Sequence, residues 1–365
     1  MADKRPAPPT IRRFSLRRAL PFFFTALLLA ALPFVVGLFY GQAPGGVLAN
    51  EAGNARFIMG LMIEVFILAV FAISYDLILG ITGLLSLGHA MFFAVGAYLT
   101  GIMLKSFGWG LPATIGVVIV AGVLQALLFG IVLPRVRGIT FALVTLGFAS
   151  VFDIVIKTRE LADYTGADVG LQGIPRPDYL NPNDRIQFYF VALAFALIVY
   201  LLYRRFVDSP TGRVCIAIRE NEDRAQMLGY NTFYFKLAAL TVSAVTAGLA
   251  GTLQALYRPI VSPEIASVFF TVDGLLMILI GGMGTLSGAM VGAGVFRLMD
   301  FYLDRWFGES GTLLLGAFYV ALVLFVPYGI VGAWRARKQT VQRWRERLGD
   351  FFTGEKREEV GASLE

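Results

Sequence analysis

Apolar runs follow one another along nearly the whole chain, separated by short polar intervals. They fall at 19–40, 57–79, 84–104, 111–133, 139–157, 188–206, 237–257, 269–281, 287–303 and 311–328. Most match the roughly 17–25 residues that an α-helix needs to cross a bilayer. The two around Gly281–Gly284 are shorter, and the pair at 269–303 reads equally as a re-entrant hairpin. The pattern predicts an all-α, polytopic transmembrane helical bundle of about 8–10 spans. The domain layout expected is a disordered basic segment at 1–18, a transmembrane domain at 19–330 with a structured polar insert at 207–236, and a cytoplasmic basic amphipathic tail at 331–365.

Composition agrees with the pattern. Hydrophobic residues make up 57% of the 365 and charged residues only 15%, against about 25% charged in soluble domains. The run at 19–40 exceeds the 7–15 residues of a signal-peptide core and no A-x-A site follows it, so it reads as an anchor. Basic residues mark the membrane flanks. With the N-terminus inside and ten crossings, the cytoplasmic intervals collect 22 of the 31 Lys and Arg residues. This bias predicts an N-in/C-in orientation and puts the 204–236 interval in the cytoplasm. The net charge of +6 is therefore no sign of nucleic acid as a partner. In the tail, Trp334, Val341, Trp344, Leu348 and Phe351 recur at helical spacing among arginines, a pattern suited to the surface of anionic membrane lipids.

Some chemistry is excluded. One Cys and one His cannot assemble a Cys/His zinc cage, and no metal site is expected. No stretch matches the phosphate-binding GxxxxGK[ST] loop, and the dipeptide Gly-Lys is absent from the sequence, so neither a nucleotide cofactor nor a catalytic residue is expected on this chain.

The interval 204–236 is the longest charged stretch inside the apolar body. Arg219, Glu220, Asn221, Glu222, Asp223, Arg224 and Ala225 lead to Gly229 in an order that predicts a short helix. Asn221 is its N-cap, Glu222 and Asp223 suit the positive end of the first turn, and Gly229 is its C-terminal stop. Pro210 and Gly212 punctuate the approach. A linker between spans needs only a few residues, so a structured insert is read as a docking element.

Ionisable groups within spans are costly and therefore informative. Asp76, Asp153, Asp273 and Asp300 lie near predicted span ends and read as interfacial. Glu64 lies deeper, about 10 Å in from position 57, where it lines a cavity or pairs with a group such as Arg297. Between the second and third runs, Gly80, Gly83 and Gly88 allow a broken or re-entrant helix, tolerated at membrane depth only where protein or an aqueous path surrounds it. Ser86 and His89 share a face there. Glu64, Gly83, Ser86, Gly88 and His89 are the candidates for a substrate pathway, although a lone histidine more often plays a structural part. The glycines of 281–294 read as small-residue helix packing.

Several stretches together resemble one family. GLLSLGHAMFFAVGAY (83–98), RVRGITFALVTLGFA (135–149), TGADVGLQGIP (165–175), GRVCIAIRENEDRAQMLGYNTFYFKLAAL (212–240) and GGMGTLSGAMVGA (281–293) are similar to the LivM-type permeases of high-affinity branched-chain amino acid ABC importers. The resemblance covers about residues 57–330. It implies that 207–236 is the coupling loop, whose E-A-A-x-x-x-G core falls on Asp223–Gly229, with Asp in place of Glu and Arg in place of the first Ala. It further implies a bacterial inner-membrane, multi-pass permease without its own nucleotide site. Its partners would be a LivH-type second permease, two ABC ATPase subunits that bind the ATP, and a periplasmic solute-binding protein. Importers of urea or short-chain amides use similar permeases, and an ion-coupled secondary transporter is the alternative of another class.

Overall fold

The computed structural model describes residues 16–334 apart from 52, 309 and 326–328. The disordered segment expected before residue 16 and the basic tail from 335 on lie outside the described residues. Residues 1–59 and 60–365 form separate compact units. The first contains α1 (Leu16–Phe39), the one-turn α2 (Pro44–Leu48) and the start of α3 (Asn54–Asp76). Within it the Gln42 side chain accepts a hydrogen bond from the Ala55 amide (3.4 Å).

The second unit is helical almost throughout. α3 passes directly into a π-helical turn, Leu77–Ile81, and the chain then runs irregularly to α4 (Ala90–Lys105). The third apolar run therefore becomes helical six residues later than expected, and the break predicted at Gly80, Gly83 and Gly88 occurs there. α5 (Leu111–Val132) and α6 (Ile139–Ile156) follow. The polar interval after α6 holds short helical turns, including α7 (Ala162–Thr165), and the strand β1 (Leu171–Gln172). Next come α8 (Arg185–Asp208), α9 (Pro210–Glu220), α10 (Glu222–Met227) and α11 (Thr232–Tyr257). Strand β2 (Ile260–Val261) pairs antiparallel with β1, Leu171 opposite Val261. A 3₁₀ turn at Pro263–Ala266 precedes α12 (Val268–Gly281), α13 (Ser287–Phe307) and α14 (Ser310–Phe325).

Six helices among the described residues are long and apolar enough to cross a membrane, and α4 and α12 are shorter apolar helices. α12, with 14 residues, rises only about 21 Å at 1.5 Å per residue, short of the roughly 30 Å hydrocarbon core.

The centre is packed through glycine. A β-carbon on Gly96 of α4 would collide with the Gly248 carbonyl of α11, and one on Gly251 with the Phe93 carbonyl. α12 and α13 approach in the same way, Gly292 facing the Met277 carbonyl and Gly281 that of Gly288, as the small-residue reading of 281–294 predicts. Where no helix covers it, α5 turns Val120, Leu124, Leu127 and Ile131 outward, a face suited to lipid or to another membrane subunit.

Candidate functional site

The polar insert folds as two short helices at one end of the bundle. α9 starts as the local chemistry dictates: Ser209 accepts from the Gly212 amide (3.2 Å) and Pro210 occupies the first helical position. What reads in the sequence as punctuation is thus a helix start, and α9 was not legible as a helix. At Asn221 the backbone is extended and the side chain accepts from the Arg224 amide (2.9 Å), capping α10 as expected. α10 ends in a Schellman motif, Tyr230 N–H to Ala225 O (3.2 Å) and Gly229 N–H to Gln226 O (2.9 Å), with Gly229 at φ +88°.

This elbow is tied to its surroundings by charge. Glu222 accepts from buried Lys236 of α11 (2.5 Å) and from Thr232 (2.9 Å). Asp223 pairs with Arg137 of the α5–α6 connection (2.8 Å). The hydrogen bond to Asp223, with the nearby charges of Glu222 and Asp223, raises the Arg137 pKa above its ordinary value. Val214, Ile218 and Ala225 form a small core with Phe235. Glu220, at the end of α9, and Arg224, on α10, stand exposed. Beyond them Met227 and Leu228 project 86% and 72% exposed, two large apolar side chains on an element otherwise held firmly in place.

α9 also reaches the broken helix. Arg219 donates from its guanidinium to the Gly80 carbonyl in the π-turn. Gly83, at φ +79°, packs so closely that a β-carbon there would lie 3.1 Å from the Arg219 α-carbon. Asp76, expected at an interface, is instead fully buried. Its carboxylate accepts from the amides of Gly284 (2.6 Å) and Leu286 (3.0 Å) in the α12–α13 turn. The correction has a clear cause. The α12–α13 turn meets the end of α3 and offers two inward-pointing N–H groups that only an acceptor can satisfy. Three segments distant in sequence, the end of α3, the last turn of α9 and the α12–α13 turn, are thereby joined.

At the other end of α11 lies a cavity of about 1180 Å³ between α3, α6, α12, α13 and the 262–267 segment. Glu64 lies on its wall and accepts from two arginines, Arg297 of α13 (2.5 Å) and Arg258 at the end of α11 (2.7 Å). Arg297 also pairs with Asp300 (2.5 Å). Both sequence expectations for Glu64, cavity lining and pairing with Arg297, describe its position. Asp153, paired with Lys157 (2.7 Å), and Asp273 lie on the same wall. Asp273 reads from sequence as an interfacial group. It is one of the residues that line the cavity.

The other pathway candidates are placed elsewhere. His89 is fully buried, stacked on Tyr75 (4.6 Å between ring centroids), with Nε2 2.9 Å from Ser74 Oγ. The Ser74 proton is directed at the Phe71 carbonyl (2.6 Å), so His89 Nε2 donates to Ser74. The Ser86 carbonyl accepts from Tyr75 (2.6 Å). Gly88 abuts the Thr145 carbonyl and Gly83 lies under Arg219. Ser86, His89, Gly83 and Gly88 thus hold the break between α3 and α4, and Glu64 alone of the five lines the cavity.

Comparison with known proteins gives this arrangement a context. Residues 57–328 match the family described as branched-chain amino acid transport system, permease component. The high-affinity branched-chain amino acid transport system permease protein LivM of Salmonella typhimurium is 29% identical over 287 residues, 72% of this chain and 67% of its own length. LivM of Escherichia coli matches to the same extent. The Escherichia coli permease LivH is 22% identical over 290 residues, 72% of this chain and 91% of its own length. No solved structure matches. An apolar helical bundle with a capped polar elbow at one end, matched to one family over most of its length, leads to one conclusion: the chain is a multi-pass membrane protein and belongs to the permease components of branched-chain amino acid transport systems.

Proposed function

We propose that this permease carries branched-chain amino acids across the bacterial inner membrane as one half of an ABC importer. It works beside a LivH-type second permease, two ATPase subunits and a periplasmic solute-binding protein. Residues 207–236 form the coupling loop on the cytoplasmic side, with both chain ends on that side, and the cavity around Glu64 opens toward the binding protein. Nucleotide is bound and hydrolysed by the ATPases, and this chain contributes no nucleotide site. Residues 1–18 and 331–365 flank the permease domain, the latter contributing basic charge suited to anionic lipid.

The observation that carries the reading is the α9–α10 elbow. An exposed Met-Leu pair would normally be buried. Here Met227 and Leu228 end a helix capped at both ends and braced by Glu222–Lys236 and Arg137–Asp223. A docked ATPase would cover them, and a push on α10 would travel as a rigid-body movement. The bracing gives it a route: Arg219 to the π-turn, Asp76 to the α12–α13 turn, and α3 and α12 onward to the cavity wall.

Co-expressed ATPases pulled down through this permease test the reading. Deleting residues 220–228, or replacing Met227 and Leu228 together with Asp, is expected to abolish ATPase association while the permease still inserts in the membrane. Undiminished association in both variants defeats the docking role.

A further inference from the structure

A second hollow shares no residue with the cavity around Glu64. It is a groove of about 650 Å³ between the C-terminal half of α5 and the start of α11. α5 supplies Leu124, Leu127, Leu128 and Ile131, all exposed, and α11 supplies Phe233 and Leu237. Gly130 is also in the lining, and a β-carbon there would lie only 2.7 Å from Leu237. The lining is apolar up to one end, where Pro134 and Arg135 stand exposed. Nη1 of Arg135 donates to the Ile131 carbonyl one turn back (3.0 Å). Its other guanidinium donors have no partner among the described residues, whereas Arg137, two positions on, is already paired with Asp223.

We propose that this groove binds one anionic phospholipid, with an acyl chain along the α5–α11 seam and the phosphate on Arg135. Length agrees with that occupant. Leu124 to Arg135 spans about 16 Å at 1.5 Å per residue, about half of the roughly 30 Å hydrocarbon core and so one leaflet. A lipid held at Arg135 therefore covers the groove to its far end. Charge agrees as well. A guanidinium presents a fork of donors that matches a phosphate, and anionic lipids are those of the cytoplasmic leaflet. The Arg137–Asp223 pair sets this end of the groove beside the α9–α10 elbow, so the leaflet follows from the cytoplasmic position proposed for the elbow. An apolar helix of a partner subunit would cover the leucines equally well. It would also leave the free donors of Arg135 without an acceptor, which costs free energy, and a phosphate supplies one.

The test uses the full chain, purified with and without its co-expressed partners and reconstituted in phosphatidylcholine vesicles. A trace of phosphatidylglycerol with a diazirine in one acyl chain is the probe, and peptide mass spectrometry after illumination maps the labelled residues. Label is expected on 124–135 and 233–237, in the assembled complex as in the chain alone. A phosphatidylcholine probe of the same design should label them about fivefold less, the factor that one basic side chain near the headgroups supplies. Arg135→Gln should bring the two probes level, and Arg135→Lys should keep most of the difference. Leu128→Trp, which fills the groove, should remove both labels there while labelling elsewhere on the chain persists. Equal labelling by the two probes in the wild type, a preference unmoved by Arg135→Gln, or groove labelling that survives Leu128→Trp overturns the assignment. So does labelling that the partners abolish, because the face is then a subunit interface. Neither transport nor ATP hydrolysis is read, and both leaflets of the vesicles have the same composition, so the outcome stands apart from the importer reading and from the orientation of the chain.

Discussion

Replacing Asp76 by Asn is the sharpest probe of how α3 holds the α12–α13 turn. The substitution keeps shape and volume but leaves one acceptor oxygen where there were two. The carboxylate accepts from Gly284 N–H at 2.6 Å and Leu286 N–H at 3.0 Å. In the variant one amide keeps a weaker, uncharged acceptor and the other meets an NH₂ group. A hydrogen bond to a charged group contributes about 1.5–3 kcal/mol, and an unsatisfied buried donor costs about 1–3 kcal/mol. The loss of hold on the turn is then about 3–5 kcal/mol. The turn also contains Leu286 at φ +48°, a strained position that persists only while its surroundings impose it. Hydrogen exchange measured by mass spectrometry on peptides spanning 282–290 reads this directly. Local opening should become more frequent by roughly 100- to 3,000-fold, with little change in α4 or α11, whose glycine-mediated contact is separate. Exchange of this turn within threefold of wild type would refute the assignment of Asp76 as its anchor.

Two further outcomes follow from the charged networks and the caps. Glu64→Gln removes the one carboxylate shared by Arg258 and Arg297; breaking a buried ion pair costs about 3–5 kcal/mol, discounted here because Arg258 is half exposed. A lower thermal midpoint of the purified complex should result, largely recovered when Arg297→Met is added, and no change in midpoint would contradict the role of the pair. Asn221→Ala removes the side-chain acceptor at the start of α10 and should weaken that helix by about 0.5–2 kcal/mol, seen as reduced ATPase retention in the pull-down, with Asn221→Asp retaining it.

Local chemistry was legible from the sequence and distant pairing was not. α10 could be read residue by residue because a cap, a charged first turn and a glycine stop act within a few positions of one another. α9 next to it was missed because Ser209, Pro210 and Gly212 look alike whether they break a chain or start a helix, and only Val214, Cys215 and Ile218, buried on one face, decide the matter. Glu64 was found because a carboxylate that deep in an apolar run must have a partner or a cavity, and it has both. Asp76 and Asp273 were legible only as residues near span ends; the turn that one anchors and the cavity that the other lines are built from segments far along the chain.

What the sequence by itself determined is the class of molecule: apolar runs of bilayer length, the polar insert with its capped helix, and the family to which residues 57–328 belong. Periodicity, length and capping are properties of neighbours in the chain, so they survive without a structure. Which segments meet was decided only by the tertiary structure. Asp76 and its partners in the α12–α13 turn stand 208 and 210 residues apart, and Arg219 finds the Gly80 carbonyl across 139. Such bonds depend on where helices cross, and the crossings depend on glycines that let two backbones touch.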